Sequence, residues 1–320
     1  MAAKQKILIF GNGQIGNFYL EHFKNLGTKA KIAAADITKI DQVKKIIKEY
    51  KPTVIINAAG KTNLEWSGQN RLEAFNVNVL GASNVALASD EAGVYLIHFS
   101  SGCIFSSAGG TDAKTENDPP DSASYYGWTK AWSEEMVTFE RSDDFKCLIL
   151  RPRQPVSAQM DHKNMLVKML TFAKFIDTAN SGTVIEDLVL WTDQLIDKAA
   201  TGVYHVANVG YTTPYRIGLM IKKYILPGLN PEKISKAELN ELTPNIRVDT
   251  VLDVTKLQGL GIKVKPYEER LEETVKQLGE NIRTIDKNRL KEVLLKTAEA
   301  SKQRTILNSV YPSLYKSGGQ

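Results

Sequence analysis

Cysteine is scarce: the 320 residues hold only Cys103 and Cys147. Two thiols make no disulfide framework, so a small, disulfide-stapled secreted fold is excluded and a reducing compartment is expected. Cys147 lies in the apolar run Cys147-Leu148-Ile149-Leu150 and reads as inert core. Long hydrophobic runs are missing too. None approaches the ~18 residues that a membrane-crossing helix needs. The N-terminus leads at once into a short apolar strand and has no secretory apolar region, so a cytoplasmic location is expected. Charge of one sign is also absent. The 41 basic and 36 acidic residues give a net charge of +5. They are interspersed along the chain, which suits an anionic ligand and gives no signature of nucleic-acid binding. No internal repeat, low-complexity linker or metal-ligand cluster is expected. What is there is ordinary for a globular protein: 42% hydrophobic and 24% charged residues, with length for one large or two modest cores.

The N-terminal stretch is more specific. Lys6-Ile7-Leu8-Ile9-Phe10 reads as a buried strand, and a helical stretch runs to about Leu26. Between them lie Gly11, Asn12, Gly13, Gln14, Ile15 and Gly16. Strand, glycine-rich turn and helix in this order bind a dinucleotide. Gly11 permits the tight turn, Gly13 lets a pyrophosphate approach the backbone, and Gly16 lets the helix pack on the strand. Asp36 stands twenty positions after Gly16, where an acidic residue holds the ribose 2′-hydroxyl of NAD. Lys29 and Lys31 would instead suit the 2′-phosphate of NADP, so NADH and NADPH both stay open. The strand Thr53–Ile56 ends in Asn57, Ala58, Ala59 and Gly60, small residues that leave room for the cofactor. Asn76 and Asn78 follow at the start of a helix that reaches about Ala92; local capping is their alternative role.

Strands alternate with helices as far as Arg151, which predicts an α/β fold with a Rossmann-like, doubly wound parallel sheet. A smaller α+β lobe is expected to follow. The boundaries are a nucleotide-binding domain over 1–150, a substrate lobe over 151–285 partly interleaved with the sheet, and a helical tail over 286–320. Asn164–Phe175 is expected to be one helix. In the tail, Leu290, Val293, Leu294 and Ala298 share one face. That face packs on its own domain or makes a homodimer contact.

The chemistry is expected at the end of the apolar run Val94–Phe99. Ser100 and Ser101 sit at the carboxyl end of this strand, where open α/β sheets bind ligands. Tyr126 and Lys130 stand at i, i+4 on one helix face. An ammonium beside a phenol lowers its pKa from ~10 and makes it a proton donor near neutrality. Serine supplies a second hydrogen bond to a reacting carbonyl. Ser, Tyr and Lys together suit ketone reduction.

These motifs resemble the extended short-chain dehydrogenase/reductases, over residues 6 to about 280. Within them the sequence is similar to dTDP-4-dehydrorhamnose reductases, and above all to the plant-type bifunctional nucleotide-sugar 3,5-epimerase/4-reductase. The segments that carry this are Ala35-Asp36-Ile37, Asn63-Leu64-Glu65-Trp66, Ser101–Phe105, Leu150–Ser157 and Asn164–Lys168. The resemblance implies that Ser101 and Tyr126 bind the 4-keto oxygen of a nucleotide-diphosphate 4-keto-6-deoxy sugar. Lys130 would touch the nicotinamide ribose, and Ile37 would line the cofactor site. Cys103 stands where the bifunctional enzymes carry an epimerisation cysteine, and Lys168 where they carry the second epimerisation residue. Asn63, Arg153, Gln154 and Asn164 would contact substrate. Arg151 is divided between the diphosphate and a structural ion pair, and Asn164 has helix capping as its rival role. Two other functions stay open: a monofunctional 4-reductase, and a non-catalytic regulatory subunit of the same fold.

Overall fold

The computed structural model describes residues 5–107, 110–242 and 247–301. The chain divides into two units. The first comprises residues 1–153, 186–207 and 244–263; the second comprises 154–185, 208–243 and 264–320. The first crossing falls at Arg153, close to the expected residue 150, but the chain then returns twice to the first unit.

In chain order the first unit runs β1 (Lys6–Phe10), α1 (Gln14–Asn25), β2 (Lys29–Ile32), α2 (Ile40–Tyr50), β3 (Val54–Asn57), α3 (Leu64–Gln69) and α4 (Arg71–Phe75). A π-helical turn over Asn76–Leu80 leads into α5 (Gly81–Glu91), followed by β4 (Tyr95–Phe99), β5 (Ala113–Lys114), α6 (Tyr125–Thr138) and β6 (Cys147–Arg151). The second unit opens with β7 (Pro155–Val156), α7 (Met165–Met169), β8 (Lys174–Ile176) and β9 (Thr183–Val184). Most of α8 (Ile185–Asp197) and all of β10 (Gly202–His205) belong to the first unit. Then come α9 (Pro214–Tyr224), β11 (Glu232–Ile234) and α10 (Lys236–Leu242) in the second unit, and β12 (Val251–Leu252) and α11 (Thr255–Gly259) in the first. The helices α12 (Tyr267–Thr284) and α13 (Lys287–Ser301) close the second unit.

Six parallel strands form the main sheet in the order β10-β6-β4-β3-β1-β2. The doubly wound sheet expected from the alternation is therefore present. Leu8, Phe10, Ile55, Leu96 and Ile149 share one buried layer with Val43 and Ile47 of α2 and Val85 of α5. The alternate positions Ile7, Ile9, Ile56, Ile97 and Leu148 are equally buried. Both faces are thus covered, which is why the central strands read as unbroken apolar runs. β2 escaped the sequence reading because it is an edge strand with outward lysines, Lys29 and Lys31. Lysine on an edge strand discourages pairing with another chain. The strand order reverses between β1 and β3, and the crevice at that switch point is where such sheets take ligands.

The second unit has its own core. Tyr267, Leu271, Val275, Leu278 and Ile282 of α12 pack with Ile217 and Ile221 of α9. Leu290, Val293 and Leu294 of α13 join the same cluster, so this face of the tail helix packs on its own unit. The side chain of Ala298 and residues 302–320 lie outside the described residues. One helix was expected over Asn164–Phe175, but α7 ends at Met169. The chain turns there and re-enters as β8, which pairs with β11. Among the described residues no helix is long and apolar enough to cross a membrane.

Candidate active site

The phosphate loop is built from backbone. Gly11 adopts φ +104°, and a Cβ there would stand 2.6 Å from the backbone of Ala58 and Ala59. Only glycine fits that turn. A Cβ on Gly13 would meet nothing within 4 Å, so space lies open in front of the loop. Gly13 is the N-cap of α1, and the helix has no acidic residue in its first turn. An anion at this end would meet the helix's first turn with the helix dipole behind it. Gly16 is buried against the loop, while Asn12, Gln14 and Ile15 stay at least partly accessible. This cradle fits the pyrophosphate of a dinucleotide.

The flanking residues play more local parts. The Asp36 carboxylate accepts from Thr38 N–H at 2.9 Å and Thr38 Oγ1 at 2.8 Å. These bonds hold its pKa below the usual carboxylate value. The side chain remains exposed. Ile37 is buried against Gly81 and belongs to the core. Asn78 was expected at the cofactor, yet its amide is a strut. Its Oδ1 accepts from Lys61 N–H at 2.7 Å, and its Nδ2 donates to Lys61 O at 3.0 Å and Thr129 Oγ1 at 3.0 Å. The π-helical turn at Asn76–Leu80 sets the side chain facing both partners, a device common near functional sites. Gly60 lies over that amide, its would-be Cβ 3.2 Å from Asn78 Oδ1.

The serine–tyrosine cluster assembles where β4 ends. Ser101 caps a short 3₁₀ turn over Gly102–Ile104, its Oγ accepting from Cys103 N–H at 3.1 Å. Ser124 caps α6 by accepting from Gly127 N–H at 3.0 Å. Gly127 lets the helix come close: a Cβ there would lie 2.2 Å from the Cys103 carbonyl. Ser101, Cys103 and Arg153 all lie near enough to the Tyr126 phenol to act on its proton. Cys103, Tyr126 and Val248 form one small buried cluster. Arg153 donates from Nη1 to Cys103 Sγ at 2.9 Å and from Nη2 to the Val248 carbonyl. Ser101 and Cys103, Tyr126, and Arg153 are thus brought together from three separate stretches of sequence.

The electrostatics differ from the sequence expectation. Burial pushes the Tyr126 phenol well above its ordinary pKa, reinforced by Cys103 and opposed by the Ser101 hydrogen bond and the Arg153 charge. Lys130 is 4% exposed, and burial brings it down to about 8 against the pull of Glu134. Desolvation therefore outweighs the expected lowering of Tyr126 by Lys130. The phenol keeps its proton, which is what a donor requires. Beneath the pair a neutral network ties α6 to the sheet. Asn57 Nδ2 faces His98 Nδ1 at 3.3 Å, His98 Nε2 faces Ser133 Oγ at 3.0 Å, and Ser133 Oγ donates to Lys130 O at 2.7 Å. The amide donor makes Nδ1 the acceptor, and burial holds His98 uncharged.

Arg151 takes the structural role. It makes a buried two-point pair with Glu134 at 2.9 and 2.6 Å, and Glu134 also accepts from Ser100 Oγ. Asn164 is wholly buried, and it caps α7 and the preceding loop. Its Oδ1 accepts from Leu166 N–H at 3.2 Å, and its Nδ2 donates to Ser157 O and Gln159 O at 2.8 Å each. With its amide spent inside its own loop, the expected substrate contact gives way to capping. Asn63 is likewise an N-cap, accepting from Trp66 N–H at 2.9 Å, on an exposed turn. Gln154 sits at φ +40°, a left-handed conformation uncommon for a residue with a Cβ. Lys168 lies half-buried on α7 in the second unit. Sequence reasoning missed the segment around Val248. Thr250 Oγ1 donates to Phe105 O at 2.8 Å and Ser107 N–H donates to Asp249 O at 2.7 Å, bracing the Cys103 loop. A separation of 145 residues leaves no local signal for this contact.

A parallel sheet with a glycine phosphate loop and a serine–tyrosine–lysine set defines the extended short-chain dehydrogenase/reductase class. Residues 5–280 match the family described as RmlD substrate binding domain, and the chain belongs to it. It is 29% identical, over 66% of its length and 72% of the relative's, to the Arabidopsis thaliana bifunctional dTDP-4-dehydrorhamnose 3,5-epimerase/dTDP-4-dehydrorhamnose reductase. It is 30% identical to an Arabidopsis thaliana trifunctional UDP-glucose 4,6-dehydratase/UDP-4-keto-6-deoxy-D-glucose 3,5-epimerase/UDP-4-keto-L-rhamnose-reductase, over 66% of this chain and only 32% of that protein. Among solved structures, the L780 UDP-rhamnose synthase of Acanthamoeba polyphaga mimivirus superposes with a TM-score of 0.79. It is 24% identical, over 86% of this chain and all of that one.

Proposed function

We propose that this protein is an NAD(P)H-dependent nucleotide-sugar reductase that also epimerises its substrate. In this reading UDP- or dTDP-4-keto-6-deoxy-D-glucose becomes the corresponding L-rhamnose nucleotide. The observation that carries the reading is the packing of Cys103 and Tyr126 in one buried cluster, with Ser101 Oγ tied to the Cys103 N–H beside them. The names of the relatives above agree with it in both activities.

The roles follow from the groups. Ser101 and Tyr126 donate to the 4-keto oxygen, which acidifies the hydrogens on carbons 3 and 5. Cys103 exchanges a proton at these carbons, the C–H electron pair moving onto the keto oxygen. Ser101 and Tyr126 hold the enolate as an oxyanion hole does. Lys168, by its place in the family pattern, returns a proton on the opposite face. The bound nicotinamide supplies hydride to carbon 4. Tyr126 then gives its proton to the oxygen, and the Lys130 ammonium stabilises the phenolate left behind.

The test is incubation with UDP- and dTDP-4-keto-6-deoxyglucose and either reduced cofactor in deuterated water, with the products read by NMR. Label at carbons 3 and 5 together with the L-rhamnose configuration is the expected result. Cys103→Ala should lose the label yet still reduce a substrate already epimerised. Label uptake unchanged in that variant removes Cys103 and leaves a plain reductase. No consumption of cofactor with any keto sugar leaves the regulatory-subunit reading.

A further inference from the structure

The geometry points to Arg153 as the positioning residue of the Cys103 thiol: its guanidinium aims the sulfur and stabilises it once the proton has left. The proposal deepens the epimerase reading and depends on it for its catalytic meaning.

Arg153 follows β6 directly and is only 3% exposed. One arm of its fork meets Sγ at 2.9 Å, and the other is anchored on the Val248 carbonyl. A planar guanidinium held at one arm cannot swing the other away. Its stem rests on Gly102, where a Cβ would come within 3.3 Å of Arg153 Cδ and 2.9 Å of Leu252. Glycine at 102 therefore leaves the arginine room to reach the sulfur. On the opposite side, Cys103 N–H is tied to Ser101 Oγ at 3.1 Å. The sulfur is held between the oxygen-binding pair and a permanent positive charge.

The chemistry gives the contact a direction. A guanidinium stays protonated throughout the working range. A neutral thiol is a weak acceptor, whereas a thiolate is a strong one, and cationic neighbours make cysteines nucleophilic. Arg153 thus holds the sulfur in place for the step in which it removes a proton from the sugar carbon. The proton passes to Sγ and the C–H electron pair goes to the keto oxygen, so the step balances without a further reagent. This proposal sets aside the substrate contact expected for Arg153, because its Nη1 and Nη2 bond to Cys103 and Val248.

Alkylation by iodoacetamide tests the pairing without any turnover. Peptide mass mapping reads Cys103 and uses buried Cys147, whose thiol burial pushes up to about 12, as the internal control. At pH 7 Arg153→Met should slow Cys103 alkylation at least tenfold, with Arg153→Lys recovering part of the rate. An arginine that merely filled space would give the opposite sign, because its loss loosens the pocket. An unchanged or faster rate overturns the proposal. Should Arg153→Met fail to fold, Arg153→Gln decides at the same pH: slower Cys103 alkylation than in the unaltered protein supports the pairing, and an equal or faster rate overturns it. Unchanged deuterium uptake in Cys103→Ala would sink the epimerase reading while leaving the alkylation result standing.

Discussion

The two ends of the reaction site in the first unit are made in opposite ways. At Gly11–Gly16 the protein offers a helix N-terminus without an acidic side chain in its first turn, and open space in front of Gly13. At Ser101–Tyr126 it offers side chains packed nearly out of water and wired to one another. A bound phosphate needs close approach and a field, which glycine and a helix terminus supply. Proton transfer to a ketone needs donors fixed in a low-dielectric place, which only tertiary packing supplies.

The largest expected effect breaks the second end alone. Tyr126→Phe removes the proton donor and should cut reduction of an epimerised substrate roughly 100- to 10,000-fold. Cofactor affinity, read by fluorescence titration, should hardly change. If that affinity collapses as well, the two ends are not separable.

A smaller effect sharpens the first end. Gly13→Ala places a methyl in open space, so thermal stability should stay within about a degree, while NADPH binding weakens roughly tenfold. Gly11→Ala must overlap the Ala58 backbone and adopt a left-handed φ, so it should lose stability as well as binding. Equal melting points for the two variants would contradict the geometry of the loop.

The smallest effect is a pH dependence. With Lys130 lowered to about 8, the reduction rate should decline as pH rises through about 8, and the ammonium is lost with it. The stability sign is the reverse. An unfolded lysine titrates at about 10.4, so between about 8 and that value the folded chain binds fewer protons. Stability contributed by this residue therefore rises with pH across that window. Comparing chemical denaturation of Lys130→Met with the unaltered protein at pH 7.5 and 10 isolates it. A difference that does not change with pH would show that Lys130 is not desolvated.

Two arginines on one strand end show how much of the site could be read beforehand. Arg151 and Arg153 are two positions apart; the sequence left Arg151 between the substrate diphosphate and a structural ion pair and offered Arg153 to the substrate. Arg151 takes the ion pair, with Glu134, and Arg153 meets the Cys103 sulfur. Their targets lie 17 and 50 residues away. No local pattern announces which partner a buried guanidinium will find. Asn78 and Asn164 make the same point, since an amide rich in both donors and acceptors serves a backbone strut as readily as a ligand. β2 was missed because an edge strand alternates and resembles a surface turn. The length of α7 was misjudged because the turn after Met169 is imposed by pairing of β8 with β11.

The parallel sheet, the phosphate loop and the i, i+4 spacing of Tyr126 and Lys130 were legible along the chain. Each is written in short-range periodicity or in a backbone conformation that one residue type can adopt. Packing settled that the Tyr126 phenol is pushed up rather than down. It alone also decided that Cys103 faces Arg153 and that residues 186–207 and 244–263 return to the first unit. Those outcomes depend on which groups lose water together, and desolvation belongs to the packed whole rather than to any stretch of chain.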